Sequence, residues 1–291
     1  MNRSLSESHA RWSAAELEAD RERWTFSLNE RARRDLVTAV GKARDPDRDD
    51  LDYRRNDFDL GCAWPIIQAA FTETEHGRGV ALVRGLPREH LDEAGFRLLA
   101  WAIGLYAGVA RPQGKASHYI SAVRDIGTQY RTGTGRGYSS NAELDFHTDS
   151  ADVVALACYN KAVSGGMSIT TSTLAAYERM KRTHPRLVDW LHRPVHFSRQ
   201  GEEAADEAPS YPHPIFDEAG GKRFTKWNWN RVNSAQKLEG VPRITPPHRA
   251  PARPRALHRA CAASRTSICR RSRRWASACC WSAPCAHRAR W

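Results

Sequence analysis

The feature that most limits how this chain can fold is an abrupt change of composition near its C-terminus. Glu239 is the last acidic residue, and the 45 residues from Pro247 to Trp291 contain eleven Arg but no Lys. The whole chain of 291 residues has a formal net charge of +12, so residues 1–246 carry only 12 − 11 = +1. A nearly neutral body of that length can bury a core, whereas the strongly basic remainder is not typical of a globular segment.

The basic segment 247–291, called the tail below, holds five of the seven Cys and shows no sustained period of two or of 3.6 residues. Three interpretations remain open: a disordered basic tail, an arm that binds nucleic acid or a metal, and the product of a shifted reading frame. Its Cys and His spacing matches no zinc site, and its residues are mostly those encoded by GC-rich codons, which favours the shifted frame. We therefore expect the tail to be disordered.

The spacing of apolar residues divides the body, residues 1–246, into two parts. Residues 1–60 are predicted to be a charged, helical N-terminal extension, because Trp and Leu recur at helical spacing among many charges. Residues 61–246 are predicted to be the functional domain, with helices at 92–108 and 232–238. Strand patterns recur at 77–87, 118–125, 152–160 and 223–231. We expect an α+β fold that is mostly β with helical additions.

Composition also bears on location and partners. The body has two Cys, Cys62 and Cys158, which suits a reducing compartment. The N-terminus has no apolar run typical of a signal peptide, and no stretch approaches the ~20 apolar residues of a membrane span. We expect a cytoplasmic protein that acts on a small molecule, with no membrane association and no nucleic-acid site in the body. The oligomeric state is left open.

The triplet His147-Thr148-Asp149 carries the strongest chemical signal in the body. In an extended segment the side chains at i and i+2 point to the same face, so an imidazole nitrogen and a carboxylate oxygen can bind one metal ion. A second His from a distant strand would complete the facial triad that holds iron(II) and leaves coordination positions open. With twelve His in the chain, about 0.7 such triplets are expected by chance, so the triplet alone does not establish a metal site.

The residues on both sides of the triplet indicate what kind of site the triplet belongs to. The segment 146–166, with the sequence FHTDSADVVALACYNKAVSGG, resembles the taurine dioxygenase (TauD/TfdA-like) family of iron(II)/2-oxoglutarate-dependent oxygenases. A looser likeness extends from about Gly77 to Thr245 and includes WNWNRVNSAQ at 227–236. The segment around the triplet is the specific part of the resemblance, and the rest supports it.

The resemblance implies a double-stranded β-helix, the jelly roll of clavaminate synthase-like proteins, with iron(II) bound by His147 and Asp149 as the catalytic centre. It also implies that 2-oxoglutarate and O2 are co-substrates, and that a small organic substrate is hydroxylated or otherwise oxidised with release of succinate and CO2. In the family, Gly-Gly-x-Thr supplies a hydroxyl that contacts 2-oxoglutarate. Ser168 stands at that position here and keeps a hydroxyl donor, so it is the candidate 2-oxoglutarate contact.

The resemblance further implies a distal His as third iron ligand, and about a dozen residues later an Arg that pairs with a 2-oxoglutarate carboxylate. Both are expected on closing strands at least ~40 residues beyond Thr245, where the tail supplies His287 and no strand pattern. The jelly roll is therefore expected to be incomplete at its C-terminus. Two alternatives to an active oxygenase stay open: an inactive chain that lacks the distal His and Arg, and a nucleic-acid-binding protein that acts through the tail.

Overall fold

The computed structural model describes residues 9–112, 118–128, 137–219 and 221–245, together with the backbone of Thr266–Ser267 and Ala276–Ser282. The chain divides into two compact units. The helical unit comprises Asp20–Val123, Ala151–Gly166 and Arg271–Trp291, and the site unit comprises Met1–Ala19, Arg124–Ser150 and Met167–Arg270.

Helices are the longer elements of the described residues, and the strands are short. The helices are α1 Ala14–Ala19, α2 Glu30–Ala43, α3 Ala63–His76, α4 Glu93–Ala107, α5 Thr173–Thr183, α6 Pro185–Leu191 and α7 Trp229–Ala235. The strands are β1 Thr25–Ser27, β2 Leu82–Arg84, β3 Val109–Ala110, β4 Ile120–Val123, β5 Val153–Ala157, β6 Ile169–Thr170, β7 Pro194–Ser198, β8 Ser210–Pro214, β9 Phe216–Ala219, β10 Lys222–Thr225, β11 Thr266–Ser267 and β12 Ala276–Ser282.

The helical unit is organised by α2, α3 and α4, whose ends follow from local side chains. The Asn29 side chain accepts a hydrogen bond from the backbone N–H of Ala32 at 2.9 Å and so begins α2. Asp92 begins α4 in the same way, accepting from Gly95 N–H at 2.8 Å. Gly108 ends α4 where the sequence predicted a glycine stop, so the predicted helix over 92–108 is confirmed to within one residue.

The core of the helical unit also takes in part of the predicted N-terminal extension. Tyr53, Phe58 and Leu60 are each no more than 2% exposed and belong to the same cluster as the buried residues of α2, α3 and α4. Strand β1 pairs in parallel with β2, which also ties residues before 60 to residues after it. The boundary expected at residue 60 therefore falls inside a unit, because apolar residues of the charged segment 44–60 reach the core.

Two tail segments differ from the expectation of disorder. The strand β11 pairs antiparallel with β6, and β12 pairs with β3 and β4 along one edge and with β5 along the other. Open edges of β4 and β5 present backbone N–H and C=O groups, which a strand of many different sequences can satisfy. Two short paired strands are thus present in the tail where no strand was expected. The remaining tail residues lie outside the described residues, and for them the expectation stays a prediction.

The site unit pairs small antiparallel sheets with helices. Strand β7 pairs with β8 over five residues, and β9 pairs with β10 over four. Their inner faces pack with α5, α6 and α7 around a cluster that contains Phe197, which is fully buried. The other buried members of this second cluster are Tyr177, Met180, Val188, Leu191, Val195, Ile215, Phe216 and Val232.

The mixture of helices and strands is confirmed, but the expectation of a mostly β chain is wrong for the described residues. Their strands form four two-stranded sheets and one four-stranded sheet, without a closed barrel. Only one of these sheets has more than two strands, so the described strands do not form the two larger sheets of a jelly roll. No helix within the described ranges has the length and apolar character that crossing a membrane requires.

Candidate metal centre

The His147 and Asp149 side chains lie close together at the surface of the site unit. The His147 Nε2 atom is 3.8 Å from the Asp149 Oδ1 atom, and the two side chains are 35% and 44% exposed. This agrees with the same-face arrangement predicted for positions i and i+2 of an extended segment. The separation leaves an imidazole nitrogen and a carboxylate oxygen adjacent and open to solvent.

A backbone carbonyl fixes which His147 nitrogen faces Asp149. The Nδ1 atom lies 2.7 Å from the carbonyl oxygen of Asp145, and a carbonyl can only accept a hydrogen bond. Nδ1 therefore carries the proton and donates it, and in the neutral ring Nε2 has a free lone pair. Metal-binding His residues commonly donate their second N–H to such an acceptor, which orients the ring for the metal.

The triplet is held in an extended conformation by a short antiparallel contact with residues near 228. His147 and Asn228 form an isolated antiparallel bridge. Thr148 N–H donates to the carbonyl oxygen of Trp227 at 2.7 Å, and Trp227 N–H donates to Thr148 Oγ1 at 2.9 Å. Thr148 thus fixes the backbone of the triplet. The side chains of His147 and Asp149 are not used in this contact and remain available to bind a metal ion.

The segment that carries this contact differs from its prediction. A strand was predicted over 223–231 and a helix over 232–238, but β10 ends at Thr225 and α7 begins at Trp229. The reason is Asn228, whose side chain accepts from Arg231 N–H at 3.1 Å and caps the helix. The alternating Trp227 and Trp229 still lie on one side, with their rings stacked at 6.2 Å.

A partly buried cation lies on the first turn of α7. The Arg231 guanidinium forms an ion pair with Glu202 at 2.7 Å and donates to the carbonyl oxygen of Ser198 at 3.2 Å. Burial lowers the pKa of Arg231, and the electrostatic influence of Tyr211 and Asp149 opposes that shift. Arg231 therefore contributes positive charge near the triplet, although Glu202 already neutralises most of it.

Ser168, the candidate 2-oxoglutarate contact, lies in an exposed position just before β6. It follows Gly165 and Gly166, which have φ values of 69° and 68°, a backbone conformation that glycine adopts without strain. Within the described residues no hydrogen bond joins Ser168 to His147 or Asp149. Its role as a cofactor contact therefore stays a prediction.

The described residues include His147 and Asp149, the candidates for two of the three protein ligands that the resemblance implies. Within them no group of three or more His, Cys, Asp or Glu side chains could hold a metal ion. The sequence of β12, ASACCWS, contains neither His nor Arg. His287, His248 and His258 lie outside the described residues. The imidazole and carboxylate of the triplet fit two of the three positions of the facial triad that holds iron(II), since their donor atoms are adjacent and oriented.

Comparison with known proteins defines the family. Residues 51–266 match the profile of the taurine catabolism dioxygenase TauD, TfdA family. Because this match covers well over half of the chain, the chain belongs to that family. It is also similar to FR-33289 synthase of Streptomyces rubellomurinus (strain ATCC 31215), with 30% identity over 212 residues. The alignment covers 72% of this chain but 62% of the relative, so the chain spans less than two thirds of the relative's length.

The sequence pattern identified the triplet but missed the residues that support it. Asn228, Glu202 and Arg231 were not singled out as site residues. The signal for Asn228 was available, since Asn is a preferred N-cap residue immediately before an apolar helical position such as Trp229. The Arg231–Glu202 pair joins residues 29 positions apart, and no local pattern indicates such a contact.

Proposed function

We propose that this protein is an Fe(II)/2-oxoglutarate-dependent dioxygenase that hydroxylates or otherwise oxidises a small organic substrate and releases succinate and CO2. The observation that carries the proposal is the adjacent, oriented pair of donor atoms on His147 and Asp149. Family membership of residues 51–266 supports it independently. The similarity to FR-33289 synthase leaves the substrate of this chain open.

In this proposal His147 and Asp149 hold the iron, and the residues around them hold the two ligands in place. Bound iron(II) supplies the redox chemistry that couples 2-oxoglutarate decarboxylation to substrate oxidation. The Asp145 carbonyl keeps the His147 proton on Nδ1, so that Nε2 is a ligand atom. Thr148 fixes the backbone through Trp227. Ser168 binds 2-oxoglutarate through its hydroxyl, as the family pattern suggests.

The proposal includes a jelly roll, incomplete at its C-terminus, as the fold that the family pattern implies. In the helical unit the tail strand β12 pairs with β4 and β5. An active family member is expected to have a distal His and a carboxylate-binding Arg, because two protein ligands alone bind iron weakly and an unpaired buried carboxylate is costly. The described residues supply no third ligand to the triplet, so a chain without these two residues is the inactive alternative.

The test measures metal binding and succinate formation separately. The full chain is titrated with Co(II), and succinate is then measured after incubation with 2-oxoglutarate, Fe(II) and ascorbate. We expect His147→Ala and Asp149→Ala to reduce metal affinity by two orders of magnitude or more and to abolish succinate formation, because each removes a direct ligand. The matched control is His196→Ala, which removes a His whose Nδ1 lies 3.0 Å from Ser210 Oγ, on the β7–β8 sheet.

The outcomes separate the proposal from its alternatives. Metal binding that depends on His147 and Asp149 without succinate formation favours an inactive oxygenase that lacks the distal His and Arg. A double variant that binds Co(II) as well as the parent chain contradicts the site itself. Binding to a DNA duplex that weakens steeply with salt and disappears when residues 247–291 are deleted favours the nucleic-acid alternative.

A further inference from the structure

The loop between β7 and β8, residues 199–209, contains two Arg–Glu ion pairs that connect different parts of the site unit. The Arg199 guanidinium pairs with Glu207 at 3.1 Å, so this pair joins two residues of the loop itself. Glu202 instead pairs at 2.7 Å with Arg231, which lies on the first turn of α7. The second pair therefore ties the loop to the helix that begins beside the candidate metal centre.

The backbone just before Glu202 adopts an uncommon conformation. Gln200 has a φ of 55°, in the left-handed region that a residue with a side chain rarely adopts, and Gly201 follows with a φ of 76°. The Gln200 N–H donates to the Ser198 Oγ atom at 3.0 Å. A residue other than glycine keeps such a conformation only where its surroundings fix it. The conformation of the loop at Glu202 is thus fixed by specific contacts.

Arg231 connects the loop to the segment that faces the triplet. Its guanidinium donates to the carbonyl oxygen of Ser198 at 3.2 Å and pairs with Glu202. Its backbone N–H donates to the Asn228 side-chain oxygen at 3.1 Å. Asn228 in turn forms the antiparallel bridge with His147. A continuous series of direct contacts therefore runs from Glu202 to His147, and all of these residues belong to the site unit.

The two ion pairs also differ in their exposure to solvent. The Arg231 and Glu202 side chains are 23% and 18% exposed, whereas those of Arg199 and Glu207 are 29% and 41% exposed. Solvent and salt screen the more buried pair less, and removing one partner leaves a partly buried charge without its counterion. We therefore expect the loss of Glu202 to disturb Arg231 more than the loss of Glu207 disturbs Arg199.

We propose that the Glu202–Arg231 ion pair positions the candidate metal centre, because it fixes the first turn of α7 and so keeps Asn228 opposite His147. Glu202 and Arg231 are positioning residues in this proposal and act through Asn228. One isolated bridge and a few hydrogen bonds hold the triplet, so its geometry depends on what fixes the segment opposite. The proposal deepens the proposed function and rests on it for the statement that His147 binds a metal ion.

The first measurement uses the metal-free full chain and follows amide hydrogen exchange at Thr148 and Trp227, whose N–H groups are hydrogen-bonded to each other's residue. Glu202→Gln keeps the shape of the side chain but removes its charge. We expect exchange at both amides to become roughly fivefold faster or more, because the segment opposite the triplet is held less firmly. The matched control is Glu207→Gln, which removes the charge from the pair within the loop and should leave both rates unchanged.

The second measurement is a Co(II) titration of the same variants, with circular dichroism and thermal midpoints to establish that each is folded. Glu202→Gln should weaken Co(II) binding roughly tenfold and change the visible absorption spectrum of the bound ion, which depends on ligand geometry. Arg231→Lys keeps the charge but loses the planar fork that contacts both Glu202 and Ser198. It should show the same changes to a smaller extent, and it takes the place of Glu202→Gln if that variant does not fold.

The outcomes separate this proposal from a purely structural role and from the proposed function. Equal exchange rates and equal Co(II) affinities in Glu202→Gln and Glu207→Gln overturn it, as does a lowered thermal midpoint in Glu202→Gln with both measurements unchanged. Faster exchange at Thr148 and Trp227, in a chain whose parent binds no Co(II), retains the positioning of the triplet and contradicts the metal centre. Co(II) binding that requires His147 but is insensitive to Glu202→Gln retains the metal centre and rejects the positioning role.

Discussion

The core of the helical unit and the candidate metal centre are stabilised by very different means. The three long helices of the helical unit bury Leu36, Ile67 and Leu99, each at most 1% exposed, within one large cluster. The candidate metal centre has exposed candidate ligands and an extended backbone held by one isolated bridge with a few hydrogen bonds. Burial of one such side chain contributes about 1.5–3 kcal/mol, while a hydrogen bond contributes about 1 kcal/mol net.

The geometry of the candidate metal centre therefore depends on the packed residues behind it in the site unit. Asn228 bridges His147 and caps α7, and α7 carries Val232 into the second cluster. Arg231 joins α7 to the carbonyl of Ser198 at the end of β7. The ligands are therefore positioned by the packing of α7 against β7, and changes in that packing should reach the metal.

The largest expected effect comes from removing a large side chain in each core. Phe197→Ala, in β7, should destabilise the protein by about 3–5 kcal/mol, and Leu36→Ala, in α2, by about 2–5 kcal/mol. Under conditions where both variants are folded, Phe197→Ala should also weaken Co(II) binding, because β7 supports α7, whereas Leu36→Ala should not. Urea denaturation measures the stabilities, and a Co(II) titration measures the affinities.

The conservative substitution Phe197→Leu is the control, because it keeps the site apolar and should retain most of the metal affinity. Equal losses of Co(II) affinity in Phe197→Ala and Leu36→Ala would contradict the distinction between the two regions. Metal affinity that is unchanged in Phe197→Ala would show that the triplet keeps its geometry without support from β7.

A smaller effect is expected from the hydroxyl of Thr148, which accepts the Trp227 N–H at 2.9 Å. Thr148→Val keeps the shape but removes the acceptor, so it should cost about 1 kcal/mol. If the hydrogen bond stabilises only the metal-bound state, its loss lowers the Co(II) affinity roughly fivefold. Thr148→Ser keeps the hydroxyl and should bind Co(II) like the parent chain. Identical affinities in Thr148→Val and Thr148→Ser would mean that the hydrogen bond does not position the ligands.

Sequence reasoning succeeded where a property depends on neighbouring residues. Helix α4 runs from its Asp92 cap to Gly108 as predicted, and the side chains of His147 and Asp149 lie together as their spacing required. Family membership was also predicted from the segment 146–166, and the match over residues 51–266 confirms it. Such features are determined by local periodicity and short motifs, so they can be predicted from the sequence alone.

Features that join distant parts of the chain were not predictable in this way. The hydrogen bonds between Thr148 and Trp227 join residues 79 positions apart, and nothing local distinguishes that register from others. The same holds for β12, whose sequence shows no strand pattern but which pairs with β4 and β5. Backbone groups on open strand edges need partners, and that requirement depends on tertiary structure.

The smallest predicted effect concerns Asp92, in the helical unit, and is a dependence on pH. Hydrogen bonds at 2.9 and 2.8 Å from the Arg44 guanidinium, followed by that from Gly95 N–H, lower the pKa of Asp92 below its ordinary value. The unfolded carboxyl titrates near pH ~3.9. Because the folded pKa is the lower one, the stabilising contribution is present above the unfolded pKa and is lost as pH falls through the folded pKa.

Asp92→Asn keeps the helix cap but cannot make the ion pair. The parent chain should therefore be slightly more stable at neutral pH, and the two thermal midpoints should converge in acid. Parallel midpoints across the acidic range would show that the Asp92–Arg44 pair contributes nothing, as many exposed ion pairs do.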